Sequence, residues 1–182
     1  MSDERELHVA LVLTNGKVLV MDGTRDGSFG IQSTELYDPL TGNWTQAGNM
    51  SDARQNHAAV LLKNGKILVS GGERQFISFV NSSELYDPIN ETWTLTSSLK
   101  QSRNRHTTTL LSNGKILIAG GDNVTVSMNN AELYDPLYEN WTIIDNMNCE
   151  RTFHTASLLY NGKVLVVGGH DSSKDTELYN PF

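Results

Sequence analysis

The tripeptide Asn-Gly-Lys begins at Asn15, Asn64, Asn113 and Asn161, at intervals of 49, 49 and 48 residues, and this limits the chain to architectures that stack one small unit. Other landmarks keep step. His8, His57, His106 and His154 each stand seven residues before that Asn and three after an arginine, Arg5, Arg54, Arg103 or Arg151, so every unit opens with R-x-x-H. A DG or GG pair follows at Asp22-Gly23, Gly71-Gly72, Gly120-Gly121 and Gly168-Gly169, and ELYDP or ELYNP begins at Glu35, Glu84, Glu132 and Glu177. Trp44, Trp93 and Trp141 complete three of the units, each nine residues after its glutamate. The repeats run over about 5–53, 54–102, 103–150 and 151–182, within one domain of 1–182.

Length varies in one place. Between the second glycine and the glutamate lie residues 24–34, 73–83, 122–131 and 170–176, which is eleven, eleven, ten and seven residues. A constant frame beside one free segment is the pattern of a rigid scaffold carrying adaptable loops.

Each unit holds four short strand candidates: the stretch after His, the KILVSGG stretch, SELYDP, and the stretch around Trp. Such strands at regular spacing predict an all-β chain. Asn-Gly between the first two predicts a tight type I′ hairpin, and Asp-Pro or Asn-Pro after the third predicts a turn into the fourth. The unit is then a four-stranded antiparallel meander. One such sheet leaves Tyr37, Tyr86, Tyr134, Tyr179 and the tryptophans without cover, so neighbouring sheets must supply it.

R-x-x-H, a hydrophobic strand ending in Gly-Gly, then YDP and a Trp about seven residues after the Tyr together resemble the kelch repeat, over essentially the whole chain. The NGK variant is similar to the kelch units of galactose-oxidase-like propellers. The resemblance implies an all-β, kelch-type β-propeller of four blades, the fourth lacking its outer strand because the chain stops at Pro181-Phe182. Only Met1 to Glu4 precede the first R-x-x-H, too few to lend a strand to blade four. Four repeats close as a small ring, remain a partial propeller, or associate with a second chain to complete one; the sequence leaves all three open.

In an up-down-up-down blade the variable segments and the blade crossings share one face, where loops on a rigid frame most often bind. The candidate partner-binding residues there are Phe29, Ile31, Arg74, Phe76, Phe79, Val124, Met128, His170 and Asp171. The apolar ones have a competing reading as strand extensions alternating into the blade edge. Arg54, His57, Gly71, Gly72, Tyr86, Trp93, Arg103, His106, Gly120, Gly121, Tyr134, Trp141, Arg151, His154, Gly168 and Gly169 are read as structural, because a residue present in every copy serves the copy. The arginines and histidines are expected to act as hydrogen-bonding posts between blades, with the ELYDP glutamate as partner.

The galactose-oxidase-like resemblance also implies a copper-radical site of two His and two Tyr ligands with a Cys linked to one Tyr. Four of the five histidines share one repeat slot, however, and Cys149 has no evident tyrosine partner. The His170, Asp171, Asp175, Glu177 cluster matches no calcium loop, and no phosphate loop, H-E-x-x-H, G-x-S-x-G or zinc spacing occurs. No enzyme, cofactor or metal is expected. The expected function is a protein-interaction scaffold; the alternatives are an extracellular carbohydrate-binding or oxidase-like domain and a partial propeller without activity of its own.

Fourteen basic against 21 acidic residues give a formal charge of −7, which opposes nucleic acid and anionic membranes as partners. The charged N-terminus, the absence of a long apolar run and a single cysteine fit a cytoplasmic chain. Six N-x-S/T sequons, at Asn43, Asn49, Asn81, Asn90, Asn123 and Asn140, exceed the roughly three expected from composition and would suit a fragment of a secreted protein.

Overall fold

The computed structural model describes residues 1–25, 30–74, 78–123, 125–170 and 175–180. Within them the chain is all-β and its sheets follow the repeats. Blade one is β1 (Val9–Val12), β2 (Val18–Met21), β3 (Ser33–Asp38) and β4 (Asn43–Asn49), in that spatial order. Blade two is β5 (Ala58–Leu61), β6 (Ile67–Ser70), β9 (Ser83–Asp87) and β10 (Thr92–Thr96), and its variable loop adds a ribbon of β7 (Glu73–Arg74) and β8 (Ser78–Phe79). Blade three is β11 (Thr107–Leu110), β12 (Ile116–Ala119), β13 (Ala131–Asp135) and β14 (Asn140–Ile144). Blade four has three strands, β15 (Thr155–Leu158), β16 (Val164–Val167) and β17 (Thr176–Tyr179), as the missing Trp segment predicts. The repeat arithmetic foresees neither this ribbon nor the single bridges that join each R-x-x-H segment to the start of the variable loop, Glu6 with Thr24, Gln55 with Glu73, Asn104 with Asp122 and Thr152 with His170.

All blade pairings are antiparallel. The first strands of successive blades pack side by side, β1 beside β5, β5 beside β11 and β11 beside β15, and so line the axis. The Trp strands lie outermost. Register places Tyr37 opposite Trp44, Tyr86 opposite Trp93 and Tyr134 opposite Trp141, with ring centroids 5.0, 5.0 and 4.9 Å apart.

The Asn-Gly turns differ from the expected type I′. That turn needs positive φ at both central residues, whereas here positive φ falls on the glycine alone, 82° at Gly16. The Gly16 amide donates to Leu13 O at 3.0 Å and the Leu13 amide to Lys17 O at 2.8 Å, which is a type I turn closed by a glycine bulge. The Asn side chain then serves differently, its Oδ1 accepting from the Lys17 amide at 3.0 Å. The Asp-Pro turns behave as predicted, with Asp38, Asp87 and Asp135 accepting from the amide two residues on.

Three hydrophobic clusters hold the blades together, one at each junction. Leu19, Met21 and Leu36 of blade one meet Ile67, Val69 and Tyr86 of blade two. Leu68 and Leu85 then meet Ile116, Ile118, Tyr134 and Trp141, and Leu117 and Leu133 meet Val164, Val166 and Tyr179. Each blade thus has a leucine face and a tyrosine face, and each leucine face covers the next tyrosine face. At the two ends the faces are open: Leu178 is 48% and Trp44 37% exposed. The four blades therefore form an arc rather than a sealed ring.

Candidate interaction surface

The arginine of each R-x-x-H is spent on the frame. Arg103 Nη1 donates to Gly120 O at 2.8 Å and its Nη2 to Asn130 Oδ1 at 2.7 Å and Glu132 Oε1 at 2.9 Å. Arg54 repeats this with Gly71 O, Ser82 and Glu84, and Arg5 with Asp22 O, Ser33 and Glu35. Arg151 donates to Gly168 O and Asp175 O, 3.7 Å from Glu177. The expected glutamate partner is present, but the side-chain bonds tie strands within one blade. The arginine backbone crosses in every case, the carbonyls of Arg54, Arg103 and Arg151 accepting from the amides of Gly23, Gly72 and Gly121 in the preceding blade, and the Arg54 side chain also faces Asp22 of blade one at 3.7 Å.

The histidines do cross. The rings of His106 and His154 lie over Gly71 and Gly120 of the preceding blade, and Thr107 Oγ1 hydrogen-bonds His154 Nε2 at 3.0 Å. Burial keeps His57 neutral, its pKa lowered to about 3, and His154 likewise, lowered to about 4. Trp93 Nε1 reaches Thr34 Oγ1 and Trp141 Nε1 reaches Ser97 O, both across a junction.

Of the candidate loop residues, Phe29, Phe76, Val124 and Asp171 lie outside the described residues. The others divide. Ile31 and Met128 send their amides to Gly23 O and Gly121 O at 2.8 Å each, zipped onto the ends of the second strands, and Met128 is buried. Phe79 is half-buried in β8 opposite Glu73. These positions extend the blade edge, because alternation turns their side chains inward. Arg74 is exposed and paired with Asp52. His170 is exposed, its amide donating to Thr152 O at 2.8 Å.

A different group, exposed at Leu7 and Phe153 and half-buried at Asn56 and Arg105, lies at the start of the axial strands on that side. The third residue of every R-x-x-H, Leu7, Asn56, Arg105 and Phe153, has φ of 53–56°, although none is glycine. Left-handed backbone costs a non-glycine residue about 1–2 kcal/mol, and strain of this kind concentrates at functional positions. Three of the four are linked blade to blade, the Arg105 amide donating to Asn56 O at 3.0 Å and the Phe153 amide to Arg105 O at 3.2 Å. Their side chains accordingly stand in a row at the mouth of the arc.

Acidic groups brace that row. Asp122 Oδ2 accepts from Arg105 Nη1 at 3.0 Å, Glu73 lies 4.0 Å from Arg105, and the guanidinium sits 4.8 Å from the Phe153 ring centroid. Glu73, itself buried, accepts from Asn56 Nδ2 at 2.8 Å and Asn104 Nδ2 at 2.9 Å. Burial raises the pKa of Asp122, opposed by Arg105. Arg105 is thus held in one pose while about a third of its side chain stays open to solvent. Sequence reasoning assigned the arginine and histidine of R-x-x-H to the frame and made no reading of the residues between them. The signal missed was that its third position changes type in every copy, Leu, Asn, Arg, Phe, while its arginine and histidine never do.

Axis-lining first strands, outer Tyr–Trp pairs and Gly-Gly bends beneath histidine rings define a β-propeller of kelch type. A family model described as the KLHDC2/KLHL20/DRC7 Kelch-repeats domain matches residues 8–181, and the chain belongs to that kelch-repeat family. Among solved structures it is similar to that described as "Structure of YjhT", with a TM-score of 0.77 at 15% identity over 91% of this chain and 59% of that one. The chain therefore spans less than two thirds of that protein. No curated protein matches it.

Proposed function

We propose that this chain is a non-enzymatic protein-interaction scaffold that receives its partner at the axial mouth of the variable-loop face. One observation carries the reading: Leu7, Asn56, Arg105 and Phe153 hold the same left-handed backbone at equivalent places and differ in side chain, so one repeated backbone device presents a different group from each blade. Arg105, stacked on Phe153 and braced by Asp122, is the pre-organised anchor, since arginine and aromatic side chains dominate binding energy at interfaces. The variable loops around it set which partner fits. The free thiol of Cys149 suits a reducing compartment, where we place the scaffold.

The test is affinity capture and mass spectrometry with the wild-type chain and the Arg105→Ala, Phe153→Ala double variant, after circular dichroism shows both folded. A protein held by the wild type and lost by the variant supports the reading. An identical set of captured proteins counts against it.

A further inference from the structure

The face opposite the variable loops is built from the turns between first and second strands and between third and fourth strands. At the junction of blades two and three, the β5–β6, β11–β12 and β13–β14 turns surround a groove of about 420 Å³, a volume in the range of ligand clefts. Across it Leu62 and Lys63 of blade two face Gly114, Lys115, Pro136 and Leu137 of blade three. All of its walls come from the two interior blades.

Lys63 sets this junction apart from the other two. The residue before each Asn-Gly turn changes from copy to copy, Thr14, Lys63, Ser112 and Tyr160. At the first junction a Cβ on Gly65 would stand 3.8 Å from Thr14 Oγ1, at the second a Cβ on Gly114 would come within 3.3 Å of Lys63 Cδ, and at the third Gly162 has nothing within 4 Å. The stem of Lys63 is thus laid across the junction over a glycine that offers no side chain to obstruct it. Its Nζ donates to Ser112 O at 2.5 Å, which uses one of three ammonium donors. Among the described residues no carboxylate pairs with it. Lys115, on the other wall, lies 3.0 Å from Asp135 with 43% of its side chain open to solvent.

Two lysines against one aspartate leave the groove positive in a chain of net charge −7, and beside them Leu62, Pro136 and Leu137, the last 80% exposed, are apolar. We propose that this groove is a second interaction site, which takes an acidic segment of a partner protein that also carries an aliphatic side chain. A carboxylate of that segment meets the ammonium groups of Lys63 and Lys115, and the aliphatic group lies against Pro136 and Leu137. The groove is open along the surface rather than closed over, which suits a stretch of polypeptide more than an enclosed small molecule. The site lies on the other face of the blades from Arg105 and Phe153 and does not depend on them.

The test is an NMR titration of the isotope-labelled chain with the peptide acetyl-Glu-Leu-Glu-Leu-amide, and in parallel with acetyl-Lys-Leu-Lys-Leu-amide. The acidic peptide is expected to move the amides of Asn64, Gly114 and Leu137 saturably, and the basic peptide to leave them in place. Lys63→Thr puts at this turn the residue that blade one carries there as Thr14, so the fold is kept, and it should weaken the acidic peptide about fivefold. Lys63→Glu should turn the preference toward the basic peptide. An acidic peptide that leaves these amides unmoved at millimolar concentration would overturn the proposal. So would equal shifts with both peptides, unchanged affinity in Lys63→Thr, or shifts gathered at Arg105 and Phe153 instead.

Discussion

The imidazole of His154 rests on Gly120 of the preceding blade so closely that a Cβ on the glycine would come within 2.7 Å of Cε1. The glycine has φ of 63°, so two separate requirements, backbone hand and space, meet at one residue.

Gly168 has nearly the same φ, 66°, but no ring above it. Gly120→Ala is expected to cost about 2–4 kcal/mol, from left-handed strain plus overpacking, and Gly168→Ala only the strain, about 1–2 kcal/mol. Urea denaturation of the two variants beside the wild type measures both. Equal losses would mean that the ring contact contributes nothing.

The buried histidines set an acid limit. His154 stays neutral in the folded chain down to about pH 4, whereas the unfolded chain protonates it near 6.5, so the unfolded state binds more protons between those values and stability falls as pH falls. A shift of that size corresponds to on the order of 3 kcal/mol. His57 acts in the same sense, down to about pH 3. His154→Gln, which keeps a partner for Thr107, should flatten part of the stability profile between pH 6.5 and 4; an unaltered slope would exclude the mechanism.

Asp22 acts with the opposite sign. It takes the place of the first glycine in repeat one, is fully buried, and among the described residues its carboxylate accepts no hydrogen bond, with Arg54 Nε at 3.7 Å. Burial holds its pKa well above the usual aspartate range, partly offset by Arg54. The folded state therefore keeps a proton that the unfolded state has released, and stability is lost as pH rises through the folded value. Asp22→Asn should raise the thermal midpoint at neutral pH and remove that loss; a lower midpoint would show the carboxylate to be stabilising.

Phe153 is 63% exposed with φ of 53°, so Phe153→Gly loses little packing and relieves the strain. The variant should be more stable than wild type by about 1 kcal/mol and should lose the partner held at Arg105. Differential scanning calorimetry and binding to the captured partner read the two effects separately. Reduced stability would mean that the phenyl ring belongs to the frame.

Much of the fold is legible in the sequence because it repeats. The R-x-x-H arginine and the ELYDP glutamate, present in every copy on either side of the variable segment, meet as Arg54 with Glu84 and Arg103 with Glu132, and the absent fourth tryptophan anticipates a three-stranded last blade. Local signals were less decisive where two backbone solutions compete. Asn-Gly suits both a type I′ turn and a type I turn with a glycine bulge, and the structure takes the second.

The candidate surface was largely hidden, for a physical reason. Met128 and Phe79 admit two readings in the sequence, loop tip or strand extension, and the structure takes the second, drawing the backbone of that loop onto the blade and turning Met128 inward. Arg105 and Phe153 are separated by 48 residues, and nothing local brings a cation over that ring.

The sequence by itself determined the unit, its strands and its glycine bends, since these depend on periodicity and on residues whose backbone preferences are local. Only the tertiary structure decided which repeat positions stay open at the axis and which contacts join one blade to the next. Those outcomes depend on how one blade packs against the next, and that geometry appears only when the copies are stacked.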